Sequence, residues 1–377
     1  MPSFQMHPGF AGQSIRTNPW KPTQLIISTS QNFGIVGSGK VYVVETAPGF
    51  QAGSPVSLVG CWGTPDGVFD ACFSEADQNI VVTACGDGVK VYNLAMSLNR
   101  DGVIPLVHNA EHQAEVSCVA WNSGRRDTFY SASWDTTIKM YSAVKPEVSM
   151  VTMQEHFKEV YEVATTGHSP SSILSCSGDG SWKLWDNRSP QRSVLTQMAH
   201  QNQIVLSIDF CKSDPNIFAS GGVDRTVRVW DARRPNQPLA SFPGHDQACR
   251  RVRFSTSSPS MLASSGYDMR VCVWDLSKPQ QPLTARYQHH REFVVGLEWS
   301  QAAPNALASA SYDGSAFFWS YADANDDDVS AAFSSVIHAK LETASVRAAL
   351  PLQLRMISSI DARVNMPLCA LRRGTVS

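Results

Sequence analysis

The sequence lacks an excess of either charge and lacks a long apolar run. Its 31 basic and 33 acidic residues give a formal net charge of −2 across 377 residues, which disfavours a nucleic-acid-binding surface. No apolar run approaches the roughly 18 residues that a transmembrane helix needs. Prolines at positions 2, 8, 19 and 22 interrupt the start of the chain, so we expect no secretory signal peptide. These absences predict a cytosolic protein with no direct membrane insertion.

The sequence also lacks the motifs that carry metal or catalytic chemistry. Its nine cysteines are scattered, with no CxxC pair and no Cys/His spacing typical of zinc. This pattern favours reduced thiols over a disulfide framework. A phosphate-binding glycine loop, HExxH and GxSxG are absent as well. We therefore predict no metal, no cofactor and no catalytic residue.

A repeat fills most of the chain. A turn containing Asp is followed six times by a strand that ends in an aromatic residue, as in SGDGSWKLWD and GVDRTVRVWD. The turn aspartates recur every 44 to 48 residues, at Asp87, Asp135, Asp179, Asp224, Asp268 and Asp313. Histidines recur every 44 or 45 residues, at His112, His156, His200, His245 and His290. Two independent marks with one period are typical of WD-repeat propeller blades.

A seventh, degenerate unit is readable at the N-terminus. Residues 25–30 alternate like a strand, and GSGKVYVV at residues 37–44 has the turn and the following strand but no Asp. Seven units of four strands form one ring rather than several domains. No convincing long helical period occurs up to about residue 320. We therefore predict an all-β fold, a seven-bladed WD-repeat β-propeller.

The segment after Tyr321 departs from the repeat. It opens with the acidic run DANDDD at residues 323–328 and continues rich in Ala, Ser, Leu and Arg. We predict that residues 329–337 form the outer strand of the last blade. The predicted propeller thus covers residues 1–337, and residues 338–377 form an irregular C-terminal extension that is poorly ordered.

The repeated His and Asp residues suggest an active site, but a catalytic constellation occurs once, whereas these residues recur in each blade. In WD repeats, a His, a Ser or Thr, the turn Asp and a Trp form a hydrogen-bonded network inside the blade. Blade 4 offers His156, Ser177, Asp179 and Trp185 for this network, and blade 6 offers His245, Ser264 or Ser265, Asp268 and Trp274. Since buried polar groups need partners, we predict that all the turn aspartates and spaced histidines are structural.

Binding residues are expected where the turns of a propeller face one end of the ring. The residue before the turn Asp is aromatic in three blades, and positions three and five after each His add further aromatic and charged groups. Blade 2 has Asp66 in place of the His, followed by Phe69 and Asp70. Aromatic anchors beside carboxylates suit an amphipathic peptide that carries one cation. The alternative is that these aromatic residues only cap the blades and that the carboxylates are solvated.

Several stretches carry a more specific resemblance. They are NFGIVGSGKVYVV from residue 32, DGVFDACFSE from 66, HQAEVSCVAW from 112, SASWDTTIKMY from 131, RRVRFS from 250, ASSGYDMRVCVWD from 263 and HHREFVVGLEWS from 289. In order and spacing, from about residue 9 to 320, the sequence resembles the WD-repeat peroxins, the import receptors for the N-terminal, type 2 peroxisomal targeting signal. The segment past Tyr321 is not covered by this resemblance.

The resemblance implies a cytosolic receptor that cycles to the peroxisome, glyoxysome or glycosome with a co-receptor and docking proteins. The family's signal is a nonapeptide with Arg first, aliphatic residues second and usually fifth, His or Gln eighth, and Leu or Ala ninth. On a helix, positions 1, 5 and 8 share one face. Glu115, with Asp70 or Asp66, is then expected to receive the Arg. The full predicted cargo-peptide site is Glu115, Asp66, Asp70, Phe69, Trp134, Tyr161, Arg250, Tyr267, Phe293 and Tyr312.

Other functions compete with this prediction. WDNR at Trp185 and WDAR at Trp230 match the WDxR pattern of propellers that act as substrate adaptors of cullin-type ubiquitin ligases. An enzyme built on a propeller and a chromatin scaffold are further alternatives. The near-neutral charge disfavours the chromatin scaffold, and the lack of catalytic motifs disfavours the enzyme.

Overall fold

The computed structural model describes residues 1–50, 54–98 and 103–321. Within them, 28 strands form seven four-stranded antiparallel sheets, the blades of a propeller. The first strands of successive blades lie against one another in a closed circle, in which β26 returns to β2. The predicted seven-bladed β-propeller is therefore confirmed. The predicted C-terminal extension lies outside the described residues.

The strands of each blade follow from the centre of the ring outward. Blade 1 consists of β2 (Phe10–Thr17), β3 (Gln24–Gln31), β4 (Gly39–Glu45) and β5 (Ser57–Thr64), and blade 2 of β6 (Val68–Phe73), β7 (Ile80–Cys85), β8 (Gly88–Asn93) and β9 (Val107–Asn109). Blade 3 consists of β10 (Val116–Trp121), β11 (Thr128–Ser133), β12 (Ile138–Ser142) and β13 (Ser149–Met153). Blade 4 consists of β14 (Val160–Thr166), β15 (Ser169–Ser177), β16 (Ser181–Asp186) and β17 (Leu195–Met198).

Blades 5 to 7 continue the pattern, and the first strand of the chain completes the last blade. Blade 5 consists of β18 (Val205–Phe210), β19 (Ile217–Gly222), β20 (Thr226–Asp231) and β21 (Ala240–Pro243). Blade 6 consists of β22 (Cys249–Phe254), β23 (Met261–Gly266), β24 (Val271–Asp275) and β25 (Leu283–Tyr287). Blade 7 consists of β26 (Val294–Trp299), β27 (Ala306–Ser311), β28 (Ser315–Ser320) and β1 (Ser3–Gln5). The described residues also contain the helix α1 (Leu94–Ser97) and 3-10 turns at Asn32–Gly34, Pro48–Phe50 and His200–Asn202.

The apolar core lies between neighbouring blades. The cluster between blades 3 and 4, for example, contains Tyr130, Ile138, Val163 and Trp185, each almost fully buried. Both faces of a blade are covered by its neighbours, so its strands are nearly continuous apolar runs instead of alternating ones. Each blade therefore depends on the next for burial of its core.

The N-terminus closes the ring. Strand β1 pairs antiparallel with β28, with Ser3 opposite Phe317 and Gln5 opposite Ser315, and the Phe4 ring packs edge-on against Tyr42, with 5.5 Å between ring centroids. The outer edge of β28, where we expected residues 329–337, is thus occupied by β1 among the described residues. Residues 329–337 themselves lie outside that part of the chain, and the boundary at residue 337 stays a prediction.

The turns that carry the repeated Asp share an unusual backbone. The residue after each turn Asp has a positive φ, between 65° and 135°, at Gly88, Thr136, Gly180, Arg225, Met269 and Gly314. At Gly88 a Cβ atom would lie 2.3 Å from the carbonyl oxygen of Asn109, so only glycine fits. Three blades place a larger residue in this left-handed conformation, at a cost of about 1 to 2 kcal/mol each. The same turn geometry is therefore kept in all six blades.

A variant that begins at Met6 tests the closure by β1. This variant loses the β1–β28 pairing and the contact of Phe4 with Tyr42. Each backbone hydrogen bond lost with the pairing contributes about 1 kcal/mol. We expect the free energy of unfolding in urea to fall by about 2 kcal/mol or more. Gln5→Ala is the control, because Gln5 is exposed and its truncation should change stability by less than about 0.5 kcal/mol. Equal stability of the shortened chain and the parent would contradict this closure.

Candidate functional site

Two sets of turns form one end of the ring, which we call the turn face. In blades 2 to 7 the turn before the innermost strand is tied to the turn between the second and third strands by a backbone hydrogen bond. The N–H of Trp134 donates to the carbonyl of Glu115 at 2.9 Å, and the N–H of Tyr312 donates to that of Phe293 at 3.0 Å. The predicted positions before the turn Asp and after the His are therefore neighbours in space.

Every innermost strand contains a β-bulge near its start. The pairing with the second strand skips one residue in each blade, namely Gln13, Phe69, Ser117, Tyr161, Leu206, Arg250 and Val295. A bulge leaves one residue unpaired and re-aims the side chains around it. Three of the predicted binding residues, Phe69, Tyr161 and Arg250, are bulge residues.

Aromatic rings on the turn face form a chain that we call the aromatic arc. Its members, in order around the ring, are Tyr161, Trp134, Phe69, Phe33, Tyr312, Phe293 and Tyr267. Ring centroids lie 6.5 Å apart for Tyr161–Trp134, 5.7 Å for Trp134–Phe69, 5.2 Å for Phe33–Tyr312, 6.1 Å for Tyr312–Phe293 and 4.7 Å for Phe293–Tyr267. The structure thus brings together all six aromatic residues of the predicted site.

The loop of Phe33 and Gly34 joins the two halves of the arc, and this role of Phe33 was not predicted. It belongs to the degenerate first unit, whose turn lacks the Asp that marks the other blades. The neighbouring Gly34 has φ 86°, and a Cβ atom there would lie 2.6 Å from the Phe69 ring. Glycine therefore allows the Phe69 ring to pack against the loop of blade 1. In the sequence, only the NFG segment at residues 32–34 indicated this contact between the blade 1 loop and the Phe69 ring.

The arc is accessible to a ligand. Its six predicted members are half-buried, while Phe33 is 42% exposed and is followed by Ile35 and Val36, which are 55% and 64% exposed. Blade 5 contributes no aromatic residue, and Val223 takes the corresponding position. Aromatic side chains that keep part of their surface open can bury aliphatic groups of a partner.

Carboxylates flank the arc at blades 2 to 4. Glu115 is half-buried, and its carboxylate has no hydrogen bond or ion pair with any residue in the described part of the chain. Glu159 lies beside Gly178, where a Cβ atom would be 2.9 Å from its Oε2. Burial and then the Glu159 charge raise the pKa of the Tyr161 hydroxyl. Asp66, by contrast, accepts the N–H of Gly67 at 2.7 Å within its own turn.

Arg250 is a half-buried cation on the turn face. Its Nη1 donates to the carbonyl of Leu206 at 3.3 Å, and no carboxylate of the described residues lies within ion-pair distance. Burial acts to lower the pKa of Arg250, but Tyr267, Glu162 and Tyr312 outweigh it and hold the pKa above its usual value. The Tyr312 hydroxyl in turn donates to Oε1 of Gln13 at 3.3 Å.

Asp70 does not belong to the turn face, which corrects the prediction. It follows the bulge residue Phe69, is fully buried, and accepts a hydrogen bond from Arg16 Nη2 at 3.0 Å and one from the N–H of Val119 at 3.3 Å. After a bulge the strand resumes its alternation, so adjacent residues turn to different surroundings. Asp70 therefore has its cation already and does not share a site with Glu115.

Asp70 is part of a buried ionic group in the central channel, which we call the channel cluster. Its members are Arg16, Asp70, Glu162, Arg251, Arg253 and Glu298. Glu162 accepts hydrogen bonds from Arg251 Nη1 and Arg253 Nη2, both at 2.7 Å, and Arg16 lies 3.7 Å from both Glu162 and Glu298. Burial alone would raise the pKa of Glu162, but Arg251, Arg253 and Arg16 outweigh it and hold the pKa well below its usual range.

The channel cluster joins five blades and was not predicted from the sequence. Its signal was charge within the innermost strands, although blade 5 also carries a buried charge there, Asp209, which binds Lys212 instead. The RRVRFS segment supplies an arginine to each location: Arg250 lies at the turn face, and the next residue, Arg251, lies in the channel. A half-satisfied buried ion pair is strongly destabilising, so the cluster requires all of its partners.

The spaced histidines and turn aspartates meet inside their blades. His156 Nδ1 donates to Asp179 at 2.7 Å, and its Nε2 is 2.8 Å from Ser175 Oγ, which also accepts the Trp185 indole N–H at 2.8 Å. The other His–Asp distances are 2.7 Å for His112–Asp135, 2.7 Å for His200–Asp224, 2.9 Å for His245–Asp268 and 3.1 Å for His290–Asp313. Every polar group of the blade 4 set has a partner within the blade.

One detail of this network differs from the prediction. The serine of blade 4 is Ser175 and not Ser177, because Ser177 lies at the turn and donates to the carbonyl of Lys158. Blade 6 uses Ser264, one of the two alternatives. Blade 2 has no His, and its Asp87 instead pairs with Lys90 Nζ at 2.7 Å.

Among residues 1–50, 54–98 and 103–321, no three His, Cys, Asp or Glu side chains are grouped so that they could hold a metal ion. None of the helices in the same ranges has the length and apolar character needed to cross a membrane.

Two known family models together match most of the chain. The family model described as the EIPR1 beta-propeller matches residues 56–274, and the WD domain, G-beta repeat model matches residues 281–320. Both matches agree with the repeat and with the blades of the structure.

Curated relatives add names to this match. The chain is 38% identical over 147 residues to "Peroxisome biogenesis protein 7" of Arabidopsis thaliana, 35% over 139 residues to "Peroxisomal targeting signal 2 receptor" of Dictyostelium discoideum, and 29% over 240 residues to the protein of that name in Komagataella phaffii. These alignments cover 39%, 37% and 63% of this chain and span 44%, 42% and 59% of the relatives. The predicted resemblance is confirmed by these relatives.

Glu162→Gln tests the channel cluster. The substitution leaves the buried Arg251 and Arg253 and the partly buried Arg16 without their shared carboxylate. Breaking a buried pair typically costs about 3 to 5 kcal/mol. We expect a loss of that size in urea unfolding. Glu159→Gln is a matched control three residues away, because Glu159 is half-buried and has no ion pair with the described residues. Equal losses for the two variants would contradict the role of the cluster.

Asp179→Ala tests the network of blade 4. The change leaves His156 and Ser181 without an acceptor, at a cost of about 1 to 3 kcal/mol at pH 7. His156 lowers the pKa of Asp179 to about 2, against the opposing effect of burial. The Asp179 contribution is therefore present above the unfolded pKa of about 3.9 and is lost as the pH falls towards 2. We expect the stability difference between parent and variant to narrow over that range.

The control for this experiment is Asp186→Ala in the same blade. Asp186 pairs with Arg188, whose side chain is 77% exposed, and such surface pairs contribute about 0 to 1 kcal/mol. A difference for Asp179→Ala that stays constant from pH 7 to pH 2 would contradict the assigned ionisation.

Proposed function

Because the chain belongs to the EIPR1 beta-propeller family and its relatives include peroxisomal targeting signal 2 receptors, we propose that it is a cargo receptor of this kind. It binds the helical type 2 signal of newly made matrix proteins and delivers them to the peroxisome with a co-receptor. The observation that supports this most directly is an accessible aromatic arc beside Glu115, a carboxylate with no partner among the described residues.

Glu115 receives the first Arg of the signal. Glu115 lies at the turn face beside Trp134, and its backbone carbonyl accepts a hydrogen bond from the Trp134 N–H. A guanidinium binds a carboxylate through two parallel hydrogen bonds, and the pair is stronger in a partly desolvated groove than on an open surface. Asp66 is engaged in its own turn, so Glu159 is the second carboxylate on this side of the arc.

The aromatic arc receives the aliphatic side of the helix. Residues three, four and seven apart on a helix share one face, so a signal with Arg first and aliphatic residues further along presents a cation and an apolar stripe together. Trp134, Tyr267, Tyr312 and Phe293 offer half-buried rings for that stripe. Burial of aliphatic groups against rigid aromatic anchors is a common source of binding energy.

The proposed receptor is a binding protein and not an enzyme, and it shuttles between the cytosol and the peroxisome, where docking proteins and the co-receptor act. The His and Asp side chains that resemble catalytic groups are paired inside their blades. The relatives give no support to the ubiquitin-ligase adaptor alternative. In the two WDxR motifs on which that alternative rests, the Arg pairs with the Asp of the same motif, Arg188 with Asp186 at 2.6 Å and Arg233 with Asp231 at 2.8 Å.

Glu115→Ala tests the proposed function. Truncating one partner of a hydrogen-bonded charge pair in an interface costs about 2 to 5 kcal/mol, or roughly 30-fold to several thousand-fold in affinity. We expect that loss in fluorescence anisotropy with a labelled peptide that carries the type 2 signal, together with an unchanged Tm. Glu147→Ala is the control, because Glu147 is an exposed residue of the same blade.

Unchanged affinity in Glu115→Ala would move the Arg subsite to Glu159 or Asp66. Unchanged affinity in all three single variants, or no binding of the signal peptide to the parent chain, would contradict the proposed receptor function.

A further inference from the structure

The aromatic arc is open at blade 5. Its end rings are Tyr161 on blade 4 and Tyr267 on blade 6, and no ring contact joins these two among the described residues. Blade 5 lies between them and carries Val223 at the corresponding position. Packing between the end rings therefore does not set the width of this opening.

An ion pair joins blades 4 and 6 across the opening. Glu162 directly follows the bulge residue Tyr161, and Arg251 directly follows the bulge residue Arg250. Arg251 Nη1 donates to Glu162 Oε1 at 2.7 Å, and each side chain has only 1% of its surface exposed. A charge-assisted hydrogen bond of this kind is short and directional. The pair therefore fixes the separation of the two strands one residue away from the turn face.

Two further contacts extend this connection to blades 5 and 7. Arg251 Nε donates at 3.3 Å to the carbonyl of Val295, the bulge residue of blade 7. In blade 5, Ser207 Oγ donates to Glu162 Oε2 and accepts the N–H of Val252 of blade 6 at 3.0 Å. One guanidinium thus holds two neighbouring strands, and blade 5 supplies a hydroxyl where it lacks an aromatic ring.

We propose that Arg251 is a positioning residue of the peptide site, an inference that rests on the proposed function. Arg251 does not touch the signal. It holds Glu162 and Val295, and through them it sets the separation between the two ends of the arc. A site that is formed before binding avoids the free-energy cost of ordering its side chains. Binding groups need to be held within roughly 0.5 Å of their productive positions, which a buried ion pair can achieve.

Arg253 offers a matched control on the same strand. Its Nη2 also donates to Glu162 Oε1 at 2.7 Å, and its side chain is 5% exposed. Its Nη1, however, donates to the carbonyl of Val252 in its own strand at 2.9 Å. Arg253 lies two residues beyond Arg251, which is roughly 7 Å further from the turn face. Both arginines thus bind one carboxylate oxygen, but only Arg251 also holds the bulge of another blade.

The test compares Arg251→Lys with Arg253→Lys. Lysine keeps the positive charge beside Glu162 but lacks the planar fork with which one guanidinium holds two acceptors. We expect the two variants to lower the Tm by similar amounts. Only Arg251→Lys should weaken binding of a labelled type 2 signal peptide, by at least about tenfold in fluorescence anisotropy, because its site is no longer preformed. Arg253→Lys should bind the peptide within about twofold of the parent.

A measurement without peptide separates this inference from the proposed function. Phe157 and Gln247 are exposed residues in the turns before the innermost strands of blades 4 and 6, and spin labels placed there report the separation of these turns by pulsed electron paramagnetic resonance. The distance distribution should broaden in Arg251→Lys and keep its parent width in Arg253→Lys. An unchanged distribution in Arg251→Lys overturns the inference, whereas a parent chain that does not bind the signal peptide contradicts the proposed function.

The peptide measurements decide the proposal as well. Parent-like affinity in Arg251→Lys overturns it, and so does an equal loss of affinity in both lysine variants, because a general loss of stability then explains both. If Arg251→Lys does not fold, Ser207→Ala takes its place and should bind the peptide at least about threefold more weakly. Its control is Thr165→Ala, which loses a hydrogen bond from Oγ1 to the carbonyl of Trp121 at 2.7 Å. Equal affinity of these two alanine variants overturns the proposal.

Discussion

Closure of the ring is the constraint on which the rest of this structure depends. A blade buries its two faces only against its neighbours, so an open ring would expose the apolar strands at both ends. The chain meets this requirement by returning its first strand, β1, to the edge of β28. The channel cluster adds a second tie at the centre, where Glu162 of blade 4 binds two arginines of blade 6.

The closed ring fixes the turn face. In blades 2 to 7 two turns are joined by a backbone hydrogen bond, and in five of these blades a His–Asp pair also links the two turns. The side chains between these turns are then free to differ from blade to blade. Aromatic residues occupy six blades and form one arc, and the charged residues lie at its two sides. The repeated network thus serves stability, and the varied positions beside it form the candidate site.

The sequence predicted the repeated features well because each was present several times. The period of Asp and His identified the blades, and the offsets from these residues located Trp134, Tyr161, Tyr267, Phe293 and Tyr312 at one face. Features present once were missed. Phe33 lies in the unit without an Asp, and the closing strand β1 has only three residues. The serine of the network was misplaced by two positions, since strand alternation gives Ser175 and Ser177 the same orientation.

The β-bulge explains the remaining errors. Period-two alternation assumes a regular strand, but each innermost strand skips one residue of its pairing near its start. Phe69, Tyr161 and Arg250 occupy the bulge, and the residues that follow them, Asp70, Glu162 and Arg251, enter the channel cluster. Two adjacent charged residues can therefore serve different purposes, one at the binding face and one in the buried cluster. Because a bulge leaves no mark in the residue types, the sequence alone could not separate Asp70 from Asp66 or Arg250 from Arg251. The bulges of blades 2, 4 and 6 thus separate a residue on the turn face from a charge that holds the centre of the ring.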